Sequence, residues 1–129
     1  MELQDNGMCF ACGKSNPIGL KLEFSFEGDK YVTCFTPRLE HQGFVGITHG
    51  GILATALDEV MARMVYVKGY HAVTAEIQIR LKKPAPTGEE LTISGWITSE
   101  SRKVIDCAAE ARDSNGELIA EAVGRMVKV

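Results

Sequence analysis

The chain has 129 residues, of which 45% are hydrophobic and 24% charged, and its formal net charge at pH 7 is -3. This length fits one domain with a core of ordinary size, and the composition is that of a globular protein. The slightly acidic charge argues against binding to nucleic acid or to an anionic membrane. We therefore expect a single domain over residues 1–129, with a polar N-terminal arm over residues 1–17.

The start of the chain and its cysteines indicate a location. Residues 1–10, MELQDNGMCF, contain neither the basic nor the apolar region of a signal peptide. No apolar run approaches the roughly 20 residues that a membrane span needs. We therefore expect a cytoplasmic protein that does not associate with membranes and whose four cysteines are reduced.

The spacing of apolar residues predicts the order of the elements. Residues 18–26 and 31–35 alternate between apolar and polar side chains, which is typical of strands. The stretch from Gly50 to Val67 carries apolar residues at helical spacing, and Gly69 suits the position after a helix C-terminus. Four further strands are predicted over residues 73–82, 91–97, 104–112 and 118–129.

This order predicts an α+β fold in which an antiparallel sheet wraps around one long central helix. Short turns join consecutive strands, and Asn115-Gly116 is a strong hairpin signal between the last two. One helix cannot cover every apolar strand face in so short a chain, and an edge strand would remain unpaired. We therefore expect at least a homodimer.

Asp58 stands out within the predicted helix. Its neighbours three and four positions away are small or apolar, whereas Glu59 has Arg63 at the favourable i+4 position. A carboxylate in such surroundings is costly unless another part of the fold faces it. Two interpretations remain open: a solvated surface residue, or a carboxylate aimed into a cleft.

Gly50 and Gly51 begin the same helix. A helix start presents unpaired N–H groups and the positive end of the dipole, and without side chains a ligand oxygen can approach closely. An oxyanion hole requires such donors, although a tight turn with close packing also explains a Gly-Gly pair. Asp58 follows roughly 10 Å further along the axis, a spacing that suggests attack on a bound carbonyl from the other side.

Three stretches form a pattern across nearly the whole chain. They are CFACGKSNPIGL near the start, EHQGFVGITHGGILATALDE in the loop and helix, and VTAEIQIRLKKPAPTGEEL after the helix. With these motifs the sequence resembles the hot-dog fold acyl-CoA thioesterases, in the phenylacetyl-CoA thioesterase (PaaI-like) branch and its subgroup with an N-terminal CxxCG motif. The resemblance implies hydrolysis of an acyl thioester to free acid and coenzyme A by a homodimer or a dimer of dimers.

The resemblance also implies two central roles in the chemistry. Asp58 would act as nucleophile or general base. The amide of Gly51, with that of Gly50 as a second candidate, would bind the thioester oxygen.

Three polar residues would support this chemistry. His49 would hold the loop or orient the carbonyl, and Thr74 would face the partner's active site and help to place water. Many relatives carry Asn six residues before the HGG histidine, where this chain has Gly43. Gln42, beside it, is therefore the candidate for that polar contact.

Coenzyme A carries phosphates, so basic residues close to the cleft are candidate contacts. The same residues are also typical of ordinary solvated strand ends. The candidates are Arg80, Lys82, Lys83, Arg102 and Lys103.

The cysteines predict no bound metal. Cys9 and Cys12 have the spacing of half a zinc site, but no second CxxC and no HxxxH follows, so we expect a reduced structural pair. Cys34 and Cys107 lie in predicted strands and are expected to be small core residues. No cofactor is expected other than the coenzyme A of the substrate.

Two other functions fit the same fold. A non-catalytic acyl-CoA binding protein would keep the pocket but would not need Asp58. A dehydratase or hydratase would use His49 as a base beside an acidic partner, without a carboxylate placed for attack on a carbonyl. The position of Asp58 therefore favours the thioesterase.

Overall fold

The computed structural model describes residues 1–129 and contains one long helix packed against a six-stranded sheet. The helix, α1, covers Gly50–Val67. The strands are β1 (Ser25–Glu27), β2 (Lys30–Phe35), β3 (Ala72–Leu81), β4 (Leu91–Glu100), β5 (Val104–Arg112) and β6 (Leu118–Lys128). They lie in the order β1-β2-β4-β5-β6-β3, and every neighbouring pair is antiparallel. The predicted α+β fold is confirmed.

Helix α1 begins and ends at the predicted residues because the sequence supplies both caps. At the start, the His49 side chain accepts a hydrogen bond from the Gly51 N–H at 2.9 Å. At the end, Gly69 takes a left-handed conformation with φ 97°, and the Tyr70 N–H donates to the Val65 carbonyl, as in a Schellman motif. Helix α1 is not long and apolar enough to cross a membrane.

The core lies between α1 and the sheet. Burial of each large apolar side chain there stabilises the fold by about 1.5–3 kcal/mol. The buried helix residues are Leu53, Ala56, Leu57, Val60, Met61, Met64 and Val65. The central strands contribute fully buried side chains that include Leu91, Ile93, Ile105 and Met126.

The strand predicted over residues 18–26 is wrong for most of its length. The strand observed there, β1, covers only Ser25–Glu27. The Leu22 N–H donates to the Ala11 carbonyl, and Lys21 has a φ of 55°, which interrupts an extended strand. The alternating pattern therefore reflects pairing and packing against the preceding segment of chain, rather than membership of the sheet.

The two strand cysteines have different environments. Cys107 is buried in β5, as predicted, and burial raises the pKa of its thiol to about 11. Cys34 is exposed, so its prediction as a core residue is wrong. Thr33 and Phe35 occupy the buried face of β2, and successive side chains of a strand point to opposite faces.

Candidate active site

A cavity of about 580 Å³ lies at the N-terminus of α1. Its walls come from the loop before the helix, the first helical turn and the end of β3. The residues that line it include Gly43, Thr48, Gly50, Leu81, Lys82 and Lys83. The helix start, where the dipole is positive, therefore borders a space of ligand size.

The first two N–H groups of the helix have different partners. The Gly51 N–H donates to His49 Nδ1, and Gly51 lines a neighbouring cavity rather than this one. The Gly50 N–H has no acceptor within the chain, and Gly50 lines the main cavity. The geometry therefore favours Gly50, the second candidate of the sequence analysis, over Gly51 as the donor to a ligand. His49 holds the helix start through its cap.

A buried histidine that sequence analysis missed fixes the loop before the helix. His41 is 6% exposed, and its Nδ1 accepts a hydrogen bond from the Arg38 N–H at 2.9 Å. The His41 carbonyl accepts from the His49 N–H at 2.8 Å. Burial, and then the charge of Arg38, lower the pKa of His41 below its ordinary value of 6.5. Its loop has no periodicity that would have marked it.

Gln42 stabilises this loop rather than the wall of the cavity. Its Oε1 accepts a hydrogen bond from the Gly46 N–H at 3.2 Å, and its backbone forms an isolated bridge with Thr48. Thr48 does line the cavity, and its buried hydroxyl has no hydrogen-bond partner. Thr48 is thus a polar residue of the candidate site that the sequence analysis did not identify.

Asp58 lies half-buried in the middle of α1. Its Oδ1 accepts a hydrogen bond from the Thr74 hydroxyl at 2.8 Å. None of the ion pairs in the chain includes Asp58. Thr74 makes this contact within its own chain, and its role at the partner's active site stays a prediction. The carboxylate therefore has one neutral partner and keeps its second oxygen free for chemistry.

A β-bulge turns Thr74 towards the helix. The register between β3 and β6 shifts between Thr74 and Glu76. Strict alternation would place Thr74 and Ile77 on opposite faces of β3. The bulge instead lets Thr74 reach Asp58 while Ile77 packs against the core. Bulges occur frequently beside active sites, where they redirect a side chain.

Gly50 and Asp58 of one chain are too far apart to act on the same carbonyl. Asp58 follows Gly50 by eight residue steps, which is about 12 Å along the axis. A reacting carbonyl must lie about 3 Å from both its attacking group and its oxyanion donor. Asp58 also does not line the cavity at Gly50. The interpretation that this spacing suits attack from the other side therefore does not hold within one chain.

Two of the five basic candidates reach the cavity. Lys82 and Lys83 line it, and each pairs with a glutamate in or next to β6, at 3.5 and 2.6 Å. Arg80 lines a different cavity, which is formed by residues of β3, β4, β5 and β6 and by none of α1. Arg102 and Lys103 lie in the turn between β4 and β5. The structure therefore brings only the adjacent lysines next to the helix N-terminus.

A second cluster joins the N-terminal arm to α1. Cys9 Sγ donates to Glu59 Oε2 at 3.2 Å. The sulfurs of Cys9 and Cys12 and a carboxylate oxygen of Glu59 all lie within 4.8 Å of one another. The predicted Glu59–Arg63 pair is wrong, because Arg63 binds Asp5 at 2.8 Å. The fold thus adds a third potential metal ligand to the two cysteines.

The architecture defines a protein of the hot-dog fold. A crystal structure of a thioesterase superfamily protein has a TM-score of 0.88 and 24% identity, over 95% of this chain and 61% of that one. A hypothetical thioesterase from Streptococcus pneumoniae TIGR4, solved with coenzyme A, has a TM-score of 0.79 and 22% identity, over 84% of this chain and 85% of that one. At these identities the similarity establishes the fold.

Sequence similarity then establishes the family. Residues 45–120 match the model of the Thioesterase superfamily, which is more than half of the chain, so this chain belongs to that superfamily. Acyl-coenzyme A thioesterase 13 of Mus musculus is 30% identical over 92 residues, which cover 69% of this chain and 64% of that protein. The chain therefore spans less than two thirds of the length of this curated relative.

Proposed function

We propose that this chain is an acyl-CoA thioesterase that hydrolyses an acyl thioester to free acid and coenzyme A. The observation that carries the proposal is the free Gly50 N–H, which borders a 580 Å³ cavity together with Lys82 and Lys83. A donor at a helix start stabilises the oxyanion that develops on a thioester oxygen, and lysines attract phosphate groups. Family membership and the name of the mouse relative support the same substrate class.

A second copy of the chain would complete the active site. Gly50 lies beside Leu81, since an added Cβ at Gly50 would be 2.9 Å from Leu81 Cδ1. Asp58 accepts a hydrogen bond from Thr74. Both contacts are with β3, a ten-residue strand at the edge of the sheet. Two β3 strands could pair antiparallel about a two-fold axis at Gln78. Because the bulge between Thr74 and Glu76 adds one residue to the strand, Thr74 of one copy would then lie opposite Leu81 of the other. Asp58 of each copy would then approach Gly50 of the other.

The chemistry would be divided between the two copies. The thioester oxygen accepts a hydrogen bond from the Gly50 N–H of one copy. The Asp58 carboxylate of the other copy either attacks the carbonyl carbon or removes a proton from the water that attacks it. The tetrahedral intermediate then expels the thiolate of coenzyme A. Direct attack leaves an acyl-aspartyl anhydride that water hydrolyses, whereas the general-base route gives the free acid without a covalent acyl-enzyme intermediate.

The finer assignments come from the sequence motifs. The N-terminal CFACGKSNPIGL supports the phenylacetyl-CoA thioesterase branch with the CxxCG motif. A cytoplasmic location is supported by the four cysteines, which are free thiols, as is typical of a reducing compartment. The unpaired β3 edge supports a homodimer, and a dimer of dimers is compatible with it.

A panel of acyl-CoA thioesters, from short aliphatic to arylacetyl groups, tests the activity through release of free thiol. We expect turnover of at least one member of the panel by the wild-type protein and its loss in Asp58→Asn. Tight binding of acyl-CoA without thiol release would identify a non-catalytic binding protein instead. Hydration of an enoyl thioester without thiol release would identify a hydratase.

A further inference from the structure

We propose that Cys9, Cys12 and Glu59 form a zinc site that fastens the N-terminal arm to helix α1. The two cysteines come from the arm and Glu59 from the middle of α1. A shared ion would therefore join segments about 50 residues apart in sequence. The site is separate from the proposed thioesterase chemistry. Glu59 points about 100° away from Asp58 around the helix axis.

The positions of the ligand atoms already approach those of a tetrahedral site. Zinc binds thiolate sulfur at about 2.3 Å and carboxylate oxygen at about 2.0 Å, so these ligands lie about 3.5 Å apart in tetrahedral geometry. Cys9 Sγ and Glu59 Oε2 are 3.2 Å apart, and all three ligand atoms lie within 4.8 Å of one another. Side-chain rotations that move these atoms by about an ångström would therefore suffice to bind the ion.

The charge balance of this cluster favours a cation. Glu59 takes part in none of the ion pairs of the chain, and its carboxylate accepts a hydrogen bond from the Cys9 thiol. Arg63, the nearest helical cation, is neutralised by Asp5 at 2.8 Å. A half-buried carboxylate beside two sulfurs thus has no positive partner, and a divalent ion would supply one.

The turn that carries the cysteines is built to bring their side chains together. The Gly13 N–H donates to the Cys9 carbonyl at 2.8 Å, which closes the Cys9–Gly13 turn. A Cβ at Gly13 would lie 2.4 Å from the Gly7 carbonyl oxygen and 2.5 Å from the Cys9 nitrogen. Only glycine fits at this position. Gly13, the glycine of the CxxCG motif, is therefore required for the turn that places both sulfurs beside Glu59.

The surroundings leave room for a fourth ligand. A cavity of about 370 Å³ is lined by Cys9, Cys12 and Glu59 together with the Asp5–Arg63 ion pair and Tyr66. It gives the ion an entry path and has room for a water molecule, which would complete four-coordination. Two thiolates with one carboxylate are a soft, mixed set that suits zinc better than magnesium or calcium, which prefer oxygen ligands.

Zinc titration of the chelator-stripped full chain, kept in a non-thiol reductant, tests this proposal. We expect one tightly bound zinc per chain and a higher Tm with zinc present, because an ion that binds only the folded state stabilises it. With cobalt as the probe, we expect the charge-transfer absorption that thiolate ligation produces. The arm should also become more resistant to limited proteolysis when zinc is added.

Matched variants locate the bound ion. Cys9→Ser and Cys12→Ser should abolish tight zinc binding. Glu59→Gln should weaken it at least about tenfold, because even the loss of a residue that only supports a metal ligand typically lowers affinity by that factor. Cys34→Ser, which removes an exposed thiol outside the cluster, should bind like the wild-type chain. Failure of the folded wild-type chain to bind zinc, or equal binding by Cys9→Ser and Cys12→Ser, would overturn the proposal. If Glu59→Gln binds cobalt with the same affinity and the same thiolate absorption as the wild-type chain, Glu59 is not a ligand of the site.

Discussion

At the scale of single residues, the two adjacent carboxylates Asp58 and Glu59 have different surroundings. Asp58 accepts a hydrogen bond from Thr74 next to the edge strand, whereas Glu59 accepts one from Cys9 of the arm. Neither forms an ion pair within the chain. The helical turn of about 100° between neighbours is what directs them to different sides.

Asp58→Asn should leave the protein folded and slow. The amide oxygen of Asn can still accept the hydrogen bond from Thr74, and no cation loses a partner, so we expect a stability change below about 1 kcal/mol. Loss of the nucleophile or general base should reduce turnover at least about 10²-fold. Turnover on the best acyl-CoA, a thermal melt and a titration with a nonhydrolysable analogue measure these effects. Full activity in the variant would remove Asp58 from the mechanism.

The two glycines of the helix start should respond differently to substitution. In Gly50→Val a branched side chain crowds the free N–H, and loss of such a donor typically reduces turnover about 10²–10³-fold. An added Cβ meets only the end of the flexible Leu81 side chain, so we expect the protein to stay folded. Gly51→Ala serves as the comparison. Its Cβ would lie 3.1 Å from His49 Nδ1, so we expect a lower Tm but only a small change in turnover. Greater loss of turnover in Gly51→Ala would restore Gly51 as the donor.

At the scale of elements, a loop and a bulge position the site. His41 links residues on both sides of the loop, through the Arg38 N–H and the His49 N–H. The bulge between Thr74 and Glu76 turns β3 so that a hydroxyl reaches α1. Both features hold backbone in irregular conformations next to a regular helix, and neither follows from hydrophobic periodicity.

The stability of this loop should depend on pH through His41. Burial and Arg38 lower the pKa of His41 in the folded chain, whereas Glu40 acts weakly in the opposite direction. The unfolded chain binds the proton near pH 6.5, so the contribution of His41 is complete above that pH and is lost as the pH falls through the lowered folded-state pKa. We expect the free energy of unfolding to decrease from about pH 7 to pH 5. Denaturant melts of His41→Asn, which retains an acceptor for the Arg38 N–H, should show a smaller decrease.

At the scale of the whole molecule, the edge of the sheet determines what one chain can do. β3 has no neighbour on its outer side, and Val73 and Leu81 are 43% and 52% exposed. Gly50 and Asp58 both lie beside this strand, but about 12 Å apart along the helix. A second copy paired along β3 would cover the exposed apolar residues and unite the two groups.

Mixing two inactive variants tests this composite site. A heterodimer of Asp58→Asn with Gly50→Val contains one site with both changes and one site with neither. Random exchange should therefore restore about a quarter of wild-type turnover, because half of the dimers are mixed and each has one intact site. Sedimentation at micromolar concentration should show no major monomer. A stable active monomer, or no recovery despite proven subunit exchange, would contradict the shared site.

The sequence by itself determined the elements and the candidate groups. Helical spacing and caps defined Gly50–Val67, and alternation with turn residues defined most of the strands, because these signals depend on neighbouring residues along the chain. The tertiary structure decided which of the candidates meet. In the folded chain the Gly51 N–H donates to His49, whereas the Gly50 N–H has no acceptor. A bulge lets the Thr74 hydroxyl donate to Asp58, and Glu59 contacts the cysteines of the arm. The contacts of Asp58 and Glu59 join residues 16 and 50 positions apart in sequence, so local patterns carry no record of them.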